Sequence, residues 1–324
     1  MIKLSVIIPN FNGYSLLNDC LESLKKQTFK DFEIILVDNC SIDGSLEFVK
    51  TNFPEVRVIK LRKNYGFAKA INIGAKLSKA RYLVFLNNDT KTDKNYLQKL
   101  VECADFNRDV ISINPKILNF SNPSIIDGVG ILINEVGQAR SIGWQEKDLG
   151  QYNKNKYIFG ATGGASLFKR LPFIKVGMFD EKYFMYSEEV DFAFRAQFLG
   201  FKSIYCPKAI VYHKHKATSK KYPQHIEYWQ FKNMYQTIIK DFPLSILMKK
   251  GRLVKITLVF INTIFYQIKN GFFWPPVATL FWLVINLSGL LKQRRKIQLT
   301  KKVSDEYIEN FLIPKKITLW GLRK

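Results

Sequence analysis

Acidic residues are scarce in this 324-residue sequence: 27 Asp and Glu stand against 50 Lys and Arg, a formal net charge of +23. From Phe242 to Ser304 there is no acidic residue at all. Cysteine is nearly as rare. Cys20, Cys40, Cys103 and Cys206 are widely scattered with no CxxC pair, which excludes metal-cluster spacing and argues against a disulfide scaffold at this length. No internal repeat or low-complexity tract is present. The first apolar run starts at Leu4, so no cleaved leader is expected before it, and the first part of the chain reads as cytoplasmic and reduced.

What is abundant is core-forming material, 47% hydrophobic and 14% aromatic, which argues against general disorder. The length fits one large domain with an appendage. Residues 240–324 carry 16 Lys and Arg but 4 Asp and Glu, so more than half of the positive excess lies in the last quarter of the chain. Such an excess calls for an anionic partner or surface.

The first 115 residues alternate between two periods. Short β-branched runs at Leu4–Ile8, Glu33–Val37, Val56–Leu61, Tyr82–Leu86 and Val110–Ile113 are separated by stretches with apolar residues three and four apart. This order predicts an α/β fold with a mainly parallel sheet covered by helices on both faces. Ligands of such sheets bind where the loops leave the carboxyl ends of the strands. Those loops read Pro9-Asn-Phe-Asn-Gly13, Asp38-Asn-Cys-Ser-Ile-Asp-Gly44, Asn64-Tyr-Gly-Phe-Ala68 and Asn87-Asn-Asp-Thr90. Turns require Gly, Asn and Asp in any protein, but four polar loops at four successive strand ends point to a site. Residues 115–160 have weak periodicity and predict irregular structure or an antiparallel insert. Order resumes with Gly160–Ser166, Gly177–Glu181 and Ser187-Glu-Glu-Val-Asp191.

The segments IIPNFN, VDNCSIDGS, NYGFAKAINIG, FLNND, FDEKYFMYSEEVDFAFRA and VYHKHKATS, taken in order, resemble the family 2 inverting glycosyltransferases, especially rhamnosyltransferase-like members of surface-polysaccharide pathways. The likeness runs over about residues 4–220. It implies a GT-A fold, Rossmann-like, and transfer of a sugar from a UDP- or dTDP-type donor with inversion. Residues 1–240 are then the catalytic domain and 241–324 a membrane-associating helical tail.

The resemblance also implies roles. Pro9, Asn10 and Asn12 would line the nucleotide pocket, with Asn64, Asn87 and Asn88 contributing to donor binding. Asp38 would accept a hydrogen bond from the imide N–H of uracil or thymine. Gly66 and Phe67 open a helix whose amides suit a diphosphate. Asn87-Asn88-Asp89 occupies the place of the family's DxD metal motif, where a hard Mg²⁺ or Mn²⁺ would neutralise the leaving diphosphate. The first acid is Asn here, so Asp89 would be the main carboxylate ligand. His213 matches the family's metal-binding histidine, and His213 and His215 lie two apart on one strand face. Zinc is disfavoured by an oxygen-rich site without nearby cysteine. Ser187 suits an N-cap, and acids in a first helical turn are favoured by the helix dipole alone. The resemblance adds a catalytic base, Glu189 with Glu188 as the reserve, while Arg195 is placed to pair with Asp191.

In the tail, Gly271–Leu291 carries no charge over 21 residues and ends in Lys292-Gln-Arg-Arg-Lys296. Pro275-Pro276 is expected to break the helix and leave about 15 residues, short for a crossing. Amphipathic or re-entrant helices on the cytoplasmic face, held by apolar burial and anionic lipid, are the favoured reading. A transmembrane hairpin and a helical packing module are the alternatives. A nucleotidyltransferase on a similar frame would be expected to carry basic residues in the loop Pro9–Gly13, which has none. A nucleic-acid partner is not expected, because the basic residues interleave with long apolar runs rather than forming a reading module. The acceptor implied is a glycan or lipid-linked oligosaccharide.

Overall fold

The computed structural model describes residues 2–214 and 222–315. In chain order the elements are β1 (Leu4–Asn10), α1 (Tyr14–Lys25), β2 (Phe32–Asp38), α2 (Ser45–Asn52), β3 (Arg57–Lys60), α3 (Gly66–Leu77), β4 (Tyr82–Phe85), β5 (Thr90–Thr92), α4 (Tyr96–Phe106) and β6 (Val110–Asn119). They continue with β7 (Ile126–Gly128), β8 (Ile131–Asn134), β9 (Ala139–Ser141), β10 (Lys156–Ile158), β11 (Leu167–Lys169), α5 (Arg170–Val176), a 3-10 turn (Glu181–Tyr183), α6 (Glu188–Phe198) and β12 (Lys202–His213). The remainder is helical: α7 (Pro223–Asp241), α8 (Leu244–Met248), α9 (Arg252–Lys269), α10 (Trp274–Leu299) and α11 (Asp305–Glu309), closed by β13 (Leu312–Ile313).

The main sheet runs β10-β12-β6-β11-β4-β1-β2-β3. Its β3-β2-β1-β4 half is wholly parallel, as the strand-helix alternation requires. The other half is mixed, because β11 enters antiparallel between β4 and β6. Alternation along the strands divides the core. Leu4, Val6 and Ile8 face the layer of α1, α2 and α4, with Leu17, Leu21, Val49 and Leu97. Ile7, Ile35, Val37, Leu83 and Phe85 face the layer of α3, α5 and α6, with Ile71, Phe173 and Phe192. Both faces are thus covered, as a mostly parallel sheet demands. Segment 115–160 extends β6 and then forms short strands: β7 pairs antiparallel with β6, while β8 and β9 form a small second sheet that β13 joins.

The tail does not stand apart. Ile246, Leu247, Ile256, Val259 and Ile308 share one core with Ile131, Phe159, Phe194, Phe198 and Phe231 of the preceding segments. Polar contacts fasten it further: Gln298 Nε2 donates to Asp241 O at 3.0 Å and Arg294 to Ile239 O at 2.8 Å. Arg252 and Lys255 of α9 pair with Glu135 beside β8.

Pro275 and Pro276 start α10 rather than breaking it, and this corrects the expectation above. A proline at the first helical positions lacks only an N–H that has no partner there anyway, so the helix runs on for 26 residues, about 39 Å at 1.5 Å per residue. By length and composition α10 could cross a membrane, with mean hydropathy 1.4 and 22% of its most apolar stretch buried inside the protein. Its inner flank, with Thr279 and Leu290 fully buried, packs along α7. Its outer flank exposes Val277, Phe281, Val284 and Ile285. α9 has the same duality: Ile256 and Val259 point inward, while Val254, Ile261 and Ile268 are exposed.

Candidate active site

The first two strand-end loops are tied to each other. Asn10 Nδ2 donates to Asp38 Oδ1 at 3.0 Å and to Ser41 Oγ at 3.1 Å. The Ser41 amide and hydroxyl both donate to Asp38, and the amides of Asn12 and Ile42 complete the turn through Ser41 Oγ and Asn12 Oδ1. Asp38 is fully enclosed, with both carboxylate oxygens accepting within the protein. Contact between Asp38 and a base therefore requires the Ser41 turn to open. Pro9 and Asn12 remain partly exposed at the same edge. Asn88 Nδ2 reaches across to Asn10 Oδ1 at 2.7 Å and joins the fourth loop to the first.

At the third loop, Asn64 Oδ1 accepts the Gly66 amide at 2.9 Å, a local turn rather than a group aimed outward. Gly66 has φ +84°, and a Cβ there would lie 2.4 Å from Phe184 O. Only glycine fits this left-handed, crowded position. The start of α3 thus lies against the loop before α6, and the Ala68 amide donates to Phe184 O at 3.2 Å.

The fourth loop carries Asn87-Asn88-Asp89. Asn87 packs on Gly164, where a Cβ would come within 2.7 Å of Asn87 Nδ2. The next glycine, Gly163, lies beside both Phe67 and Glu188 Oε1. The Gly163-Gly164 turn is thereby the spacer between the Asn87–Asp89 loop and the acidic start of α6.

Asp89 is nearly buried, and its Oδ1 makes no hydrogen bond among the described residues. It lies 3.3 Å from His213 Nε2, and His213 Nδ1 is 2.5 Å from Asp127 Oδ2. Burial opposes charge on His213, but the two flanking carboxylates override it and raise its pKa to about 10. Among the described residues no group of three or more His, Cys, Asp and Glu is arranged around one point for a metal. Asp89 and His213 nevertheless fit two ligands of a site completed by phosphate oxygens. The Asp89 carboxylate faces the Nε2 side of the ring, and the Asp127 carboxylate behind Nδ1 is the usual support for a metal-bound histidine. His215 lies outside the described residues.

Glu188 and Glu189 open α6 after a strained approach: Phe184, Tyr186 and Ser187 all have positive φ, between 65° and 69°. Such conformations are costly for residues with a Cβ and survive only where the surroundings hold them. Ser187 occupies the N-cap position, but in this conformation its side chain makes no capping bond. α7 supplies the restraint. Asn233 Nδ2 lies within hydrogen-bond distance of the carbonyls of Tyr183, Met185 and Tyr186, at 3.0, 2.8 and 2.7 Å. Lys232 donates to Lys182 O, and the hydroxyls of Thr237 and Tyr183 meet at 2.8 Å. Deeper in α6, Asp191 pairs with Arg195 at 2.6 Å, as the spacing of four implies, and also with the buried Lys240.

The two glutamates hydrogen-bond to each other. Burial raises both pKa values, and the negative charge of Glu189 raises that of Glu188 further. Glu188 is 4% exposed and turns toward Gly163. Glu189 is half-buried and lines a cavity of about 420 Å³ with Thr162, Phe231, Met234, Thr263 and Gln267. The more enclosed Glu188 is the natural holder of a shared proton, which leaves Glu189 as the carboxylate facing the cavity.

Asp127 and Asn233 escaped sequence reasoning. Asp127 sits in a segment without periodicity, and nothing local distinguishes Asn233 from any polar residue on a helix.

A family model described as glycosyl transferase family 2 matches residues 5–177. An uncharacterized glycosyltransferase of Haemophilus influenzae is 35% identical over 121 residues, 37% of this chain and 38% of the relative. The N-acetylglucosaminyl-diphospho-decaprenol L-rhamnosyltransferase of Mycobacterium tuberculosis is 26% identical over 245 residues, 67% of this chain and 77% of the relative. Among solved structures, GalNAc-T7 with UDP, GalNAc and Mn²⁺ superposes with a TM-score of 0.62 at 18% identity. That match covers 81% of this chain and 51% of the other, and it is a likeness of fold.

Proposed function

The chain belongs to glycosyl transferase family 2 and has a GT-A fold, and on that premise we propose that it transfers a sugar from a UDP- or dTDP-type donor to a hydroxyl of a glycan acceptor, with inversion, in cell-surface polysaccharide synthesis. The observation that carries the reading is the Gly163-Gly164 turn, which packs Asn87 on one side and Glu188 on the other. It sets a donor-side loop directly against a pair of carboxyls with raised pKa.

The strand-end loops with Pro9, Asn10, Asn12, Asp38 and Asn64 form the nucleotide side. Gly66, Phe67 and the α3 amides take the diphosphate, flanked by Asn87 and Asn88. Asp89 and His213 would hold Mg²⁺ or Mn²⁺, which when bound supplies positive charge to the departing diphosphate. Glu189 takes the proton of the acceptor hydroxyl as its oxygen attacks the anomeric carbon. The bond from that carbon to the diphosphate oxygen breaks on the opposite face, and the nucleoside diphosphate leaves with the electron pair. Glu188, holding the shared proton, orients Glu189. A nearby proton acceptor of raised pKa contributes about 10²–10⁴-fold to such a step. The UDP and Mn²⁺ in the GalNAc-T7 structure support the donor class and the metal. The name of the M. tuberculosis relative supports a lipid-linked acceptor.

The exposed apolar flanks of α9 and α10, with exposed Lys249, Lys250, Lys292, Arg295 and Lys296 and no acid from 242 to 304, form a surface for an anionic bilayer on the cytoplasmic side. α10 is bound to α7 along one flank, which favours lying on the membrane over crossing it, and lipid rather than nucleic acid is the anionic partner.

The experiment is binding and hydrolysis of UDP-glucose, UDP-N-acetylglucosamine, UDP-galactose and dTDP-rhamnose with Mg²⁺ or Mn²⁺, for the wild type and Asp89→Ala. Metal-dependent binding of at least one donor, abolished in Asp89→Ala, is expected. Unchanged, metal-dependent binding by that variant would overturn the assignment.

A further inference from the structure

A lysine is buried where α7 meets the start of α6. Lys240 is 2% exposed, and its ammonium donates to Asp180 Oδ2 at 2.7 Å and pairs with Asp191 Oδ1. The ring of Tyr183 packs against the same ammonium, with its centroid 4.9 Å away. Burial opposes the charge, but the surrounding carboxylates, Asp191 first, override it and raise the Lys240 pKa. Asp191 is fully buried and divides its oxygens between two partners, Oδ1 to Lys240 and Oδ2 to Arg195. Against burial, those two cations hold its pKa at about 2. Arg195 in turn donates to the carbonyls of Val176 and Met178 at 2.8 and 2.7 Å. Asp180 caps the 3-10 turn by accepting the Lys182 amide at 3.0 Å. One ammonium therefore holds both ends of the stretch 180–191, which contains the strained Phe184, Tyr186 and Ser187 and the acid pair.

The charges in contact balance: Lys240 and Arg195 against Asp180 and Asp191. Asp191 follows Glu188 by three residues and lies on the same side of α6. Burial and Glu189 raise the Glu188 pKa, and the charge of Asp191 raises it further. Asp241 adds no charge, because burial, and then Asp191, push its carboxyl well above the ordinary range. Arg294 of α10, partly exposed, approaches Asp241. Lys232 of α7 lies near Asp180 and Lys240, but burial pushes its ammonium down to about 7, so it titrates apart from the carboxyls. The cavity that Glu189 lines adds Arg140 of β9 and Glu227 of α7, one of each sign. Without Lys240 the network behind the acid pair would hold one more anion than cations, in an interior that screens charge poorly.

Resting on the transferase reading above, we propose that Lys240 is a positioning residue for the acid pair, clamping both ends of the approach to α6 and offsetting the charge of Asp191 so that Glu188 and Glu189 keep one negative charge between them down to lower pH. It touches neither glutamate and acts through Asp191.

The test uses the full-length protein and whichever of the four donors the wild type hydrolyses, with kcat/KM measured from about pH 4 to 9 beside thermal melting. Lys240→Met, which keeps the length of the side chain without its charge, is expected to move the acidic limb up by about 0.5–1 pH unit. Asp191→Asn alone, which leaves the cations in excess, is expected to move it down. The double variant restores the balance and is expected to return the limb to its wild-type position. A role in folding alone would lower the melting temperature and leave the limb in place in all three variants, and that result overturns the inference. So does a limb that rises in Lys240→Met and stays there in the double variant. Should Lys240→Met fail to fold, Asp191→Asn against the double variant reads the same charge, and equal limbs in those two overturn the inference. A wild type that hydrolyses no donor instead overturns the transferase reading itself.

Discussion

The side-chain amide of Asn233 lies 2.7 Å from the carbonyl oxygen of Tyr186, two residues before the acidic pair that opens α6. The same nitrogen reaches the carbonyls of Tyr183 and Met185, so one side chain on α7 fastens a loop in which three non-glycine residues have positive φ. Asn233→Ala frees those carbonyls and lets the loop relax. Because small misplacements of reacting groups are expensive, kcat is expected to fall by about 10–100-fold with the donor KM unchanged. If Asn233 served stability alone, the variant would melt earlier but keep its kcat per folded molecule; parallel melting and steady-state measurements separate the two.

Removal of residues 242–324 is expected to unfold or precipitate the rest. Ile246, Leu247, Ile256, Val259 and Ile308 lie in a core shared with Phe194, Phe198 and Phe231. At about 1.5–3 kcal/mol per buried side chain, these five alone account for on the order of 10 kcal/mol, comparable to the roughly 5–15 kcal/mol total stability of a domain. A soluble 2–241 fragment with a wild-type melting temperature would show that the tail is dispensable for folding.

Proton acceptance by Glu189 demands its ionised form. Burial raises its pKa above the ordinary value of 4.5, so the rate should fall with decreasing pH at a higher pH than an exposed glutamate would give. In kcat/KM profiles measured under chemistry-limited conditions, the acidic limb is expected above pH 4.5, with about a tenfold loss per unit below it. A flat profile down to pH 4.5 would remove both glutamates from the proton transfer.

Much of this arrangement is legible in the sequence alone. The alternation of Leu4, Val6 and Ile8 against Ile7 marks a strand buried on both faces, and the polar residues after it could lie only at the sheet edge. Asp191 and Arg195 were readable because a helix brings residues four apart together. The antiparallel entry of β11 was not, since Leu167–Lys169 is too short to carry a direction. The tail was legible in composition but not in position. An apolar helix reads the same whether it faces lipid or protein, and α10 does both. Pro275-Pro276 misled because proline ends a helix from within and begins one from its first turn. The support of the site by Asp127 and Asn233 depends on contacts across 86 residues to His213 and 47 residues to Tyr186, which no local pattern encodes.

The most direct test of the account is sugar transfer by Glu189→Gln and Glu188→Gln, measured beside donor binding. Glutamine keeps the size and hydrogen bonding of the side chain but cannot take up the acceptor's proton. Glu189→Gln is expected to bind donor and metal as the wild type does while transfer falls by about 10²–10⁴-fold. Glu188→Gln, which can still donate to Glu189, is expected to lose less. Near wild-type transfer by Glu189→Gln would contradict the account: with Glu188→Gln inactive the two roles are exchanged, and with both variants active the base lies outside α6.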